Sequence, residues 1–259
     1  MAYGSLDFNS DCLKRIVSFR IILPNESDQK TDKKMKLLIL LHGYNGLHGD
    51  WMMNSQILRL AEQYHICVVM PSGENSFYLD GTATGRQYAS FVGEELPAYI
   101  RKTFFVSDQK EDTWIGGFSM GGFGAIHTGL RYPETFGKLF ALSSALIVEE
   151  VAQMKKGTGN EIANYDYYSL MFGEPEKLLQ SENNPKELVR RLKEKGEVIP
   201  EIFMACGRDD FLLENNRDLD KFLSDQQVEH QYIEDEGNHD FDFWNRYLLV
   251  AVKWLMGVK

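Results

Sequence analysis

Long apolar runs are missing from this sequence, and their absence argues against a membrane-spanning protein. No uninterrupted apolar stretch approaches the roughly 20 residues that span a bilayer. We therefore expect neither a membrane-spanning helix nor a membrane partner. The N-terminal stretch MAYGSLDFNSDCLKR has no basic segment followed by an apolar one, which is the pattern of a secretory signal. The expected location is cytoplasmic.

Cysteine is scarce. The chain has 3 cysteines, Cys12, Cys67 and Cys206, and no CxxC pair. The odd number and the spacing argue against both a disulfide framework and a zinc site. Cys67 and Cys206 lie inside apolar runs, so we expect them to be buried, reduced thiols. We expect no metal ion and no organic cofactor.

Basic residues are outnumbered. The chain has 28 Lys and Arg against 38 Asp and Glu, a net charge of −10. An acidic surface repels phosphate backbones, so we do not expect nucleic acid as a partner. The composition is otherwise ordinary for a globular protein, with 43% apolar residues. The 259 residues suit one large α/β domain or two small ones, and leave a homo-oligomer open.

Strand and helix patterns alternate along most of the chain. Strands are predicted at residues 17–23, 37–41, 66–70, 113–116, 139–142, 201–205 and 230–233. Helices are predicted at 55–64, 86–103 with a kink or a short break at Pro97, from Ser119 onward, and at 186–195, 216–226 and 241–256. This alternation predicts an α/β fold with a mostly parallel, roughly eight-stranded sheet covered by helices on both faces. The first strands should pair antiparallel at one edge.

Two segments depart from this alternation. The polar, lysine-rich residues 25–36 are interpreted as an exposed loop between strands. Residues 147–200 are too long for a simple one-helix crossover, and we interpret them as a small helical insertion in a single domain spanning residues 1–259. Ligands bind at the C-terminal strand ends of open α/β sheets, so the insertion should lie over the active site there. The alternative is a peripheral helical decoration.

The strongest motif is Gly117-Phe118-Ser119-Met120-Gly121, a GxSxG pattern. About one chain in ten of this length would carry such a match by chance, so the context decides. A predicted strand precedes Ser119 and a glycine-rich helix follows it, which is the arrangement of a nucleophile elbow. Gly117 and Gly121 are small enough for the strained backbone of such a turn. We therefore predict that Ser119 is the nucleophile of an α/β-hydrolase fold.

A serine hydroxyl needs a general base, and the base needs an acid that orients it. In this fold the acid follows a later strand than the serine. Asp209 and Asp210 both follow the strand at 201–205. Asp210 is preferred because apolar Phe211 and Leu212 follow it and would help bury it against an imidazole. Asp209 could instead stabilise the turn.

The base should follow the last strand of the sheet. His239 lies in the turn before the final helix and is the predicted base. His230 opens the preceding strand and would lie at its far end. His127 falls within the helix after Ser119 and is interpreted as a packed core histidine.

An oxyanion hole requires two backbone N–H groups. Met120, directly after Ser119, is predicted to supply one, and Tyr44 in the loop His42-Gly43-Tyr44-Asn45-Gly46 the other. Gly43 permits a tight backbone at this place, and His42 is expected to brace the loop. The alternative is an ordinary glycine between a strand and a loop.

Five segments together resemble the tributyrin-esterase branch of the esterase D superfamily. They are LLILLHGYNG, TGRQYASFVGEELPAYI, WIGGFSMGGFGAIHTGLRYPETF, CGRDDFLLENNRDL and EGNHDFDFW. The resemblance implies a cytoplasmic serine carboxylesterase that cleaves short-chain acyl esters of small molecules. It implies Ser119, Asp210 and His239 as the catalytic triad, with the acid of CGxxDF at Asp210. It also implies that Tyr88, before EELP, lies near the site.

Related branches leave the substrate open. Carbohydrate esterases remove acetyl or feruloyl groups from sugars, and S-formylglutathione hydrolases cleave a thioester. The latter branch usually has a cysteine-bearing loop after its SG pair, whereas this sequence reads HGYNGLHGDW. A binding protein with a hydrolase fold and no catalysis is the alternative from another class.

Overall fold

The computed structural model describes residues 1–25 and 34–258. Most of the loop predicted at residues 25–36 lies outside the described residues. Eight strands in the described parts form one sheet in the order β1-β2-β4-β3-β5-β6-β7-β8. They are β1 Ala2–Ser10, β2 Arg15–Leu23, β3 Lys36–Leu41, β4 Ile66–Pro71, β5 Thr113–Phe118, β6 Lys138–Leu142, β7 Glu201–Gly207 and β8 His230–Asp235.

The sheet is mostly parallel. β1 pairs antiparallel with β2 and β2 antiparallel with β4, while the other neighbouring strands run parallel. The predicted α/β architecture with an antiparallel edge is therefore confirmed. β1 was missing from the predicted strands. It is an edge strand whose side chains are mainly exposed, so its sequence has no apolar run that would mark it.

Eleven α-helices cover the two faces in the described residues. They are α1 Asp50–Asn54, α2 Ile57–Tyr64, α3 Tyr88–Ser90, α4 Leu96–Thr103, α5 Met120–Arg131, α6 Val148–Gln153, α7 Tyr165–Phe172, α8 Pro175–Leu178, α9 Pro185–Lys195, α10 Leu213–Asp225 and α11 Phe241–Met256. None of them is both long and apolar enough to cross a membrane.

The helix predicted at residues 86–103 is interrupted directly before Pro97. A π-helical turn, Phe91–Glu95, joins α3 to α4. Pro97 lies in the first turn of α4, where a missing backbone N–H leaves no hydrogen bond unmade within that helix. The break in the regular helix thus lies directly before Pro97, whose ring crowds the carbonyl of Gly93 in the π-helical turn, and this agrees with the predicted kink or short break.

Two apolar cores sandwich the sheet. Along β3, Leu37, Ile39 and Leu41 face one core, and Leu38 and Leu40 face the other, as the two-residue period of a strand requires. Helices α4, α5 and α10 contribute to the first core, and α2 and α11 to the second. Burial on both faces explains why β3 is a continuous apolar run.

The buried cysteines are part of this packing. Cys67 and Cys206 are buried and unpaired, and burial raises the pKa of each thiol to about 12. They are therefore neutral thiols at physiological pH. Cys12 is half-buried.

Residues 147–200 lie between β6 and β7 and contain helices α6 to α9. Helix α9 is capped at its N-terminus by the Asn184 side chain, which accepts from the backbone N–H of Lys186, and it ends at Gly196 in a left-handed conformation. The helix predicted at 186–195 corresponds to α9.

Candidate active site

Ser119 lies in the sharp turn between β5 and α5, with φ 55° and ψ −122°. A Cβ atom on Gly117 would lie 2.3 Å from the carbonyl oxygen of Gly121, and one on Gly121 would lie 2.5 Å from that of Leu41. Larger residues would therefore push the strand, turn and helix apart. The Ser119 N–H donates to the Leu142 carbonyl at 2.9 Å, which ties the turn to the end of β6. The strained turn is thus packed against the end of β3 and hydrogen-bonded to the end of β6.

Three side chains form one hydrogen-bonded chain at the C-terminal end of the sheet. The Oγ of Ser119 lies 2.9 Å from Nε2 of His239. The Nδ1 of His239 lies 3.1 and 2.9 Å from the two carboxylate oxygens of Asp210. Asp210 follows β7, and His239 lies between β8 and α11. The three side chains thus come from different strand ends of the sheet.

The carboxylate of Asp210 is completely covered, with 0% of its side chain exposed. Burial alone would raise its pKa, but hydrogen bonding and charge interaction with His239, with smaller effects of Ser143 and the Leu212 N–H, hold the pKa below its ordinary value. Asp210 is therefore an anion at neutral pH. Asp209 is exposed, and its N–H donates to the Gly237 carbonyl at 3.0 Å.

Aromatic rings surround the imidazole of His239. The ring of Phe211 lies 4.6 Å away, and that of Trp244 lies edge-on at 5.0 Å. Phe211 is 71% exposed, so the expectation that it buries Asp210 was wrong. Leu212 is buried, and its backbone N–H donates to Asp210 Oδ1 at 2.9 Å. The side chain of Phe211 turns outward, onto the imidazole.

His42 braces the loop after β3 from within. Gly73 N–H donates to its Nε2 at 2.9 Å, so Nδ1 carries the proton and donates to the Gly43 carbonyl at 2.8 Å. Burial lowers the pKa of His42, which keeps the ring neutral. The Gly43 carbonyl also accepts from Gly46 N–H at 3.1 Å.

The two hydrogen bonds that the Gly43 carbonyl accepts, from His42 Nδ1 and from the Gly46 N–H, fix the direction of the Tyr44 N–H. In a trans peptide the C=O and the following N–H point in opposite directions. Anchoring the Gly43 carbonyl therefore turns the Tyr44 N–H the other way. Gly43 itself has no room for a side chain, since a Cβ would lie 2.5 Å from the Phe118 ring. Met120, the first residue of α5, presents an N–H that has no acceptor within its own helix.

A cavity of about 730 Å³ opens beside Ser119 and His239. Tyr44 and Met120 also line it, and residues of the 147–200 segment form much of its wall. The lining is largely apolar with two carboxylates, and it contains neither lysine nor arginine among the described residues. Its further lining residues are Phe77, Ala145, Ile147, Glu150, Val151, Met154, Asn160, Glu161, Ile162, Tyr168, Phe211, Leu212 and Asn215.

The structure does not bring Tyr88 into this cavity. Its side chain is 2% exposed, and its hydroxyl donates to Glu74 at 2.6 Å and accepts from Arg15 at 3.0 Å. Burial raises the pKa of Tyr88 to about 12. Tyr88 thus joins the loop after β4 to β2, and it is not among the residues that line the cavity.

The remaining histidines make separate contacts. His127 is buried in α5 and its Nε2 lies 3.0 Å from the Glu182 carbonyl. His230 opens β8 and lies 2.9 Å from Asp220. Within the described residues, no three His, Cys, Asp or Glu side chains are grouped in a way that could hold a metal ion.

No sequence motif identified several of the residues that the structure places at the site. The indole of Trp244 donates to Ser143 Oγ at 3.0 Å, and Ser143 lies beside Asp210. Phe77 in the loop after β4 and Tyr168 in α7 line the cavity from distant parts of the chain. Only the spacing of aromatic residues in the 147–200 segment could have indicated that it packs against something.

The chain matches the model of a protein family described as "Putative esterase" over residues 10–255. An acetyl esterase of Caldicellulosiruptor saccharolyticus is 42% identical over 264 residues, covering 100% of this chain and 99% of that protein.

Two solved structures from Staphylococcus aureus share the fold. The fluorophosphonate-binding serine hydrolase FphF has a TM-score of 0.86 and 26% identity, and covers 98% of each chain. The S-formylglutathione hydrolase FrmB has a TM-score of 0.84 and 26% identity, again over 98% of each chain. The predicted α/β-hydrolase fold is thus confirmed.

Proposed function

We propose that this chain, which belongs to the family described as "Putative esterase" and is a carboxylic ester hydrolase, uses a catalytic serine. We propose short-chain acyl esters as its substrates. The observation that carries the proposal is the hydrogen-bonded chain from Asp210 through His239 to Ser119, with distances of 2.9 to 3.1 Å. A buried acid, an imidazole and a hydroxyl in this order are the parts of a nucleophilic triad.

In the proposed reaction Ser119 Oγ attacks the ester carbonyl carbon while His239 Nε2 takes the hydroxyl proton. The tetrahedral intermediate collapses as His239 returns that proton to the departing alcohol, which leaves an acyl group on Ser119. A water molecule then gives a proton to His239 and attacks the acyl carbon. The second tetrahedral intermediate collapses as His239 gives this proton to Ser119 Oγ, which releases the carboxylic acid and restores the serine hydroxyl. Asp210, anionic and buried, orients the imidazole and stabilises its charged form.

The N–H groups of Met120 and Tyr44 are the proposed oxyanion donors. Both residues line the cavity that Ser119 opens into, and the anchored Gly43 carbonyl sets the direction of the Tyr44 donor. Preorganised donors of this kind supply a large share of the rate in acyl transfer. The N-terminus of α5 adds favourable partial charge at the same place.

The likeness to an acetyl esterase supports a small acyl group. The five sequence motifs and the structural likeness to FrmB support an esterase D type of enzyme, and the motifs favour its tributyrin-esterase branch. We also propose a cytoplasmic location.

A second candidate is an esterase that removes acetyl groups from sugars. The cavity of about 730 Å³ has space for an alcohol much larger than the acyl group. An S-formylglutathione hydrolase activity is less favoured, because glutathione carries carboxylates. Among residues 1–25 and 34–258 the cavity lining contains Glu150 and Glu161 but no lysine or arginine.

Replacement of Ser119 tests the proposed function. Ser119→Ala should abolish turnover of p-nitrophenyl acetate and labelling by a fluorophosphonate. Ser5→Ala, on the exposed face of β1, is the control and should retain both. Full activity of Ser119→Ala would overturn the assignment. A panel of p-nitrophenyl acetate, tributyrin, longer acyl esters, acetylated xylo-oligosaccharides and methyl ferulate then separates the two candidates.

A further inference from the structure

We propose that Asn75 is a positioning residue for the oxyanion loop, and that Tyr167 of the 147–200 segment holds Asn75 in place. Oxyanion loop here means residues 43–46, which follow β3 and carry the Tyr44 N–H. The inference rests on the proposed function, because it concerns the donor that Tyr44 would supply. It adds a second contact from the loop after β4, and a helix, to the parts that set the geometry of that donor.

Asn75 lies in the loop after β4 and makes two hydrogen bonds with Asn45. The Asn45 N–H donates to Asn75 Oδ1 at 2.8 Å, and Asn75 Nδ2 donates to Asn45 Oδ1 at 2.9 Å. The two bonds together fix both the backbone and the side chain of Asn45, which directly follows Tyr44. A paired contact of this kind restricts rotation more than a single bond does.

The backbone of Asn45 gives a reason for this support. Its φ is 59°, in the left-handed region that asparagine adopts more readily than most residues but at some cost. A residue in this conformation persists when its surroundings hold it there. The Asn75 amide supplies that hold from outside the loop, as His42 supplies it from within through the Gly43 carbonyl.

Tyr167 connects the same loops to α7. Its hydroxyl donates to the backbone carbonyl of Asn75 at 2.6 Å, and its ring lies edge-on to the Tyr44 ring at 5.9 Å. The first turn of α7 is itself fixed by Asn164, whose side chain accepts from the Tyr167 N–H at 2.9 Å. The helix therefore anchors Asn75, and Asn75 in turn anchors the residue after the proposed donor.

An oriented oxyanion donor acts on the transition state more than on the bound ester, so its displacement should lower kcat and leave KM nearly unchanged. Losing such a donor outright costs about 100- to 1,000-fold in kcat. Asn75→Ala leaves the Tyr44 N–H present but less well held, and we expect a loss of about tenfold in kcat. Tyr167→Phe removes one hydrogen bond and should cost about threefold to fivefold.

The experiment measures kcat, KM and the pH profile with p-nitrophenyl acetate for Asn75→Ala, Tyr167→Phe and the double variant. The rate of inactivation by a fluorophosphonate is measured in parallel, because its phosphoryl oxygen occupies the oxyanion position. Asn9→Ala and Tyr3→Phe, both exposed on β1, are matched controls. We expect kcat and the inactivation rate to fall together, with an unchanged midpoint of the pH profile. The fold loss of kcat in the double variant should be smaller than the product of the fold losses in the two single variants.

Two outcomes would overturn the inference: an unchanged kcat in Asn75→Ala, or a rise in KM alone, which would make Asn75 a substrate contact. If Asn75→Ala does not fold, Tyr167→Phe decides, since an unchanged kcat in that milder variant also overturns it. The Ser119→Ala enzyme separates this failure from failure of the proposed function. Activity that survives Ser119→Ala defeats the function itself, whereas an inactive Ser119→Ala with an unaffected Asn75→Ala defeats only the positioning role.

Discussion

Both carboxylate oxygens of Asp210 lie within hydrogen-bond distance of His239 Nδ1, at 3.1 and 2.9 Å. Asp210→Asn keeps the shape of the acid but removes its charge and can favour the wrong imidazole tautomer. We expect kcat for p-nitrophenyl acetate to fall by about 10⁴-fold. Asp209→Asn is the matched control, because Asp209 is exposed and joins the turn through its backbone N–H. A larger loss in Asp209→Asn would reverse the assignment of the acid.

The close contact between the turn at Ser119 and the end of β3 leads to a stability prediction. A Cβ on residue 121 would lie 2.5 Å from the Leu41 carbonyl oxygen and 2.6 Å from that of His42, and neither backbone group can move alone. Gly121→Ala should therefore lower the free energy of unfolding by about 3 kcal/mol or more, or prevent folding. Gly4→Ala has no atom within 4 Å of the new Cβ and should stay within about 0.5 kcal/mol of the wild type. Equal urea midpoints for the two variants would contradict this reasoning.

His127 should make stability depend on pH. Burial, with a smaller effect of Arg131, lowers the pKa of His127 from 6.5 to about 3. Between these values the unfolded chain binds a proton that the folded chain does not, so the free energy of unfolding falls as the pH decreases. The expected slope is about 1.4 kcal/mol per pH unit in that window.

His127→Gln removes this titration and can keep a donor for the Glu182 carbonyl. Urea unfolding of both proteins at pH 7, 6 and 5 checks the prediction. The wild type should lose stability more steeply than the variant below pH 6.5, the ordinary value for the group. Parallel curves would show that the imidazole is protonated in the folded protein or that it opens to water.

The charge of the cavity lining predicts selectivity among esters. Glu150 and Glu161 line it, and the part of the chain that the structure describes adds no lysine or arginine to the lining. An ester with a carboxylate in its leaving group should therefore be a poorer substrate than its neutral analogue. Both carboxylates are exposed, and solvent screening limits the effect to a few-fold in kcat/KM. The variant Glu150→Gln/Glu161→Gln should narrow the difference, as should added salt. Glu229→Gln, exposed ahead of β8, should leave it unchanged.

Short-range sequence patterns predicted the strands and the turn that position this site. The apolar runs of β3, β4 and β5 and the glycines around Ser119 are properties of a few neighbouring residues. The order of Asp210 and His239 was predicted from the fold that these patterns indicate, since the acid and the base follow later strands than the serine. The structure brings Ser119, Asp210 and His239 into one hydrogen-bonded chain, and their catalytic roles remain predictions.

Features that depend on tertiary contacts could not be predicted from the sequence. The mainly exposed side chains of β1 give no local apolar signal, and the strand is placed by pairing with β2 and by the Phe8 ring, which stacks on Tyr99 at 4.6 Å. Tyr88 was expected near the site, yet its hydroxyl is held by Arg15 and Glu74, which are distant from it in sequence. The contacts of Asn75 with Asn45 and Tyr167 join three separate segments, and no local spacing indicates them.

The cavity wall and the hydrogen-bonded trio are built from different stretches of chain. Ser119, Asp210 and His239 follow strands of the sheet, whereas α6, α7 and the loop between them supply much of the wall. Mutations in that wall can accumulate without disturbing the register of any strand. Relatives can thus differ in the esters that they accept while sharing the same reaction. Grafting residues 147–172 from a relative, with Tyr167 retained because its hydroxyl donates to the Asn75 carbonyl, is a route by which such a change of substrate can be engineered.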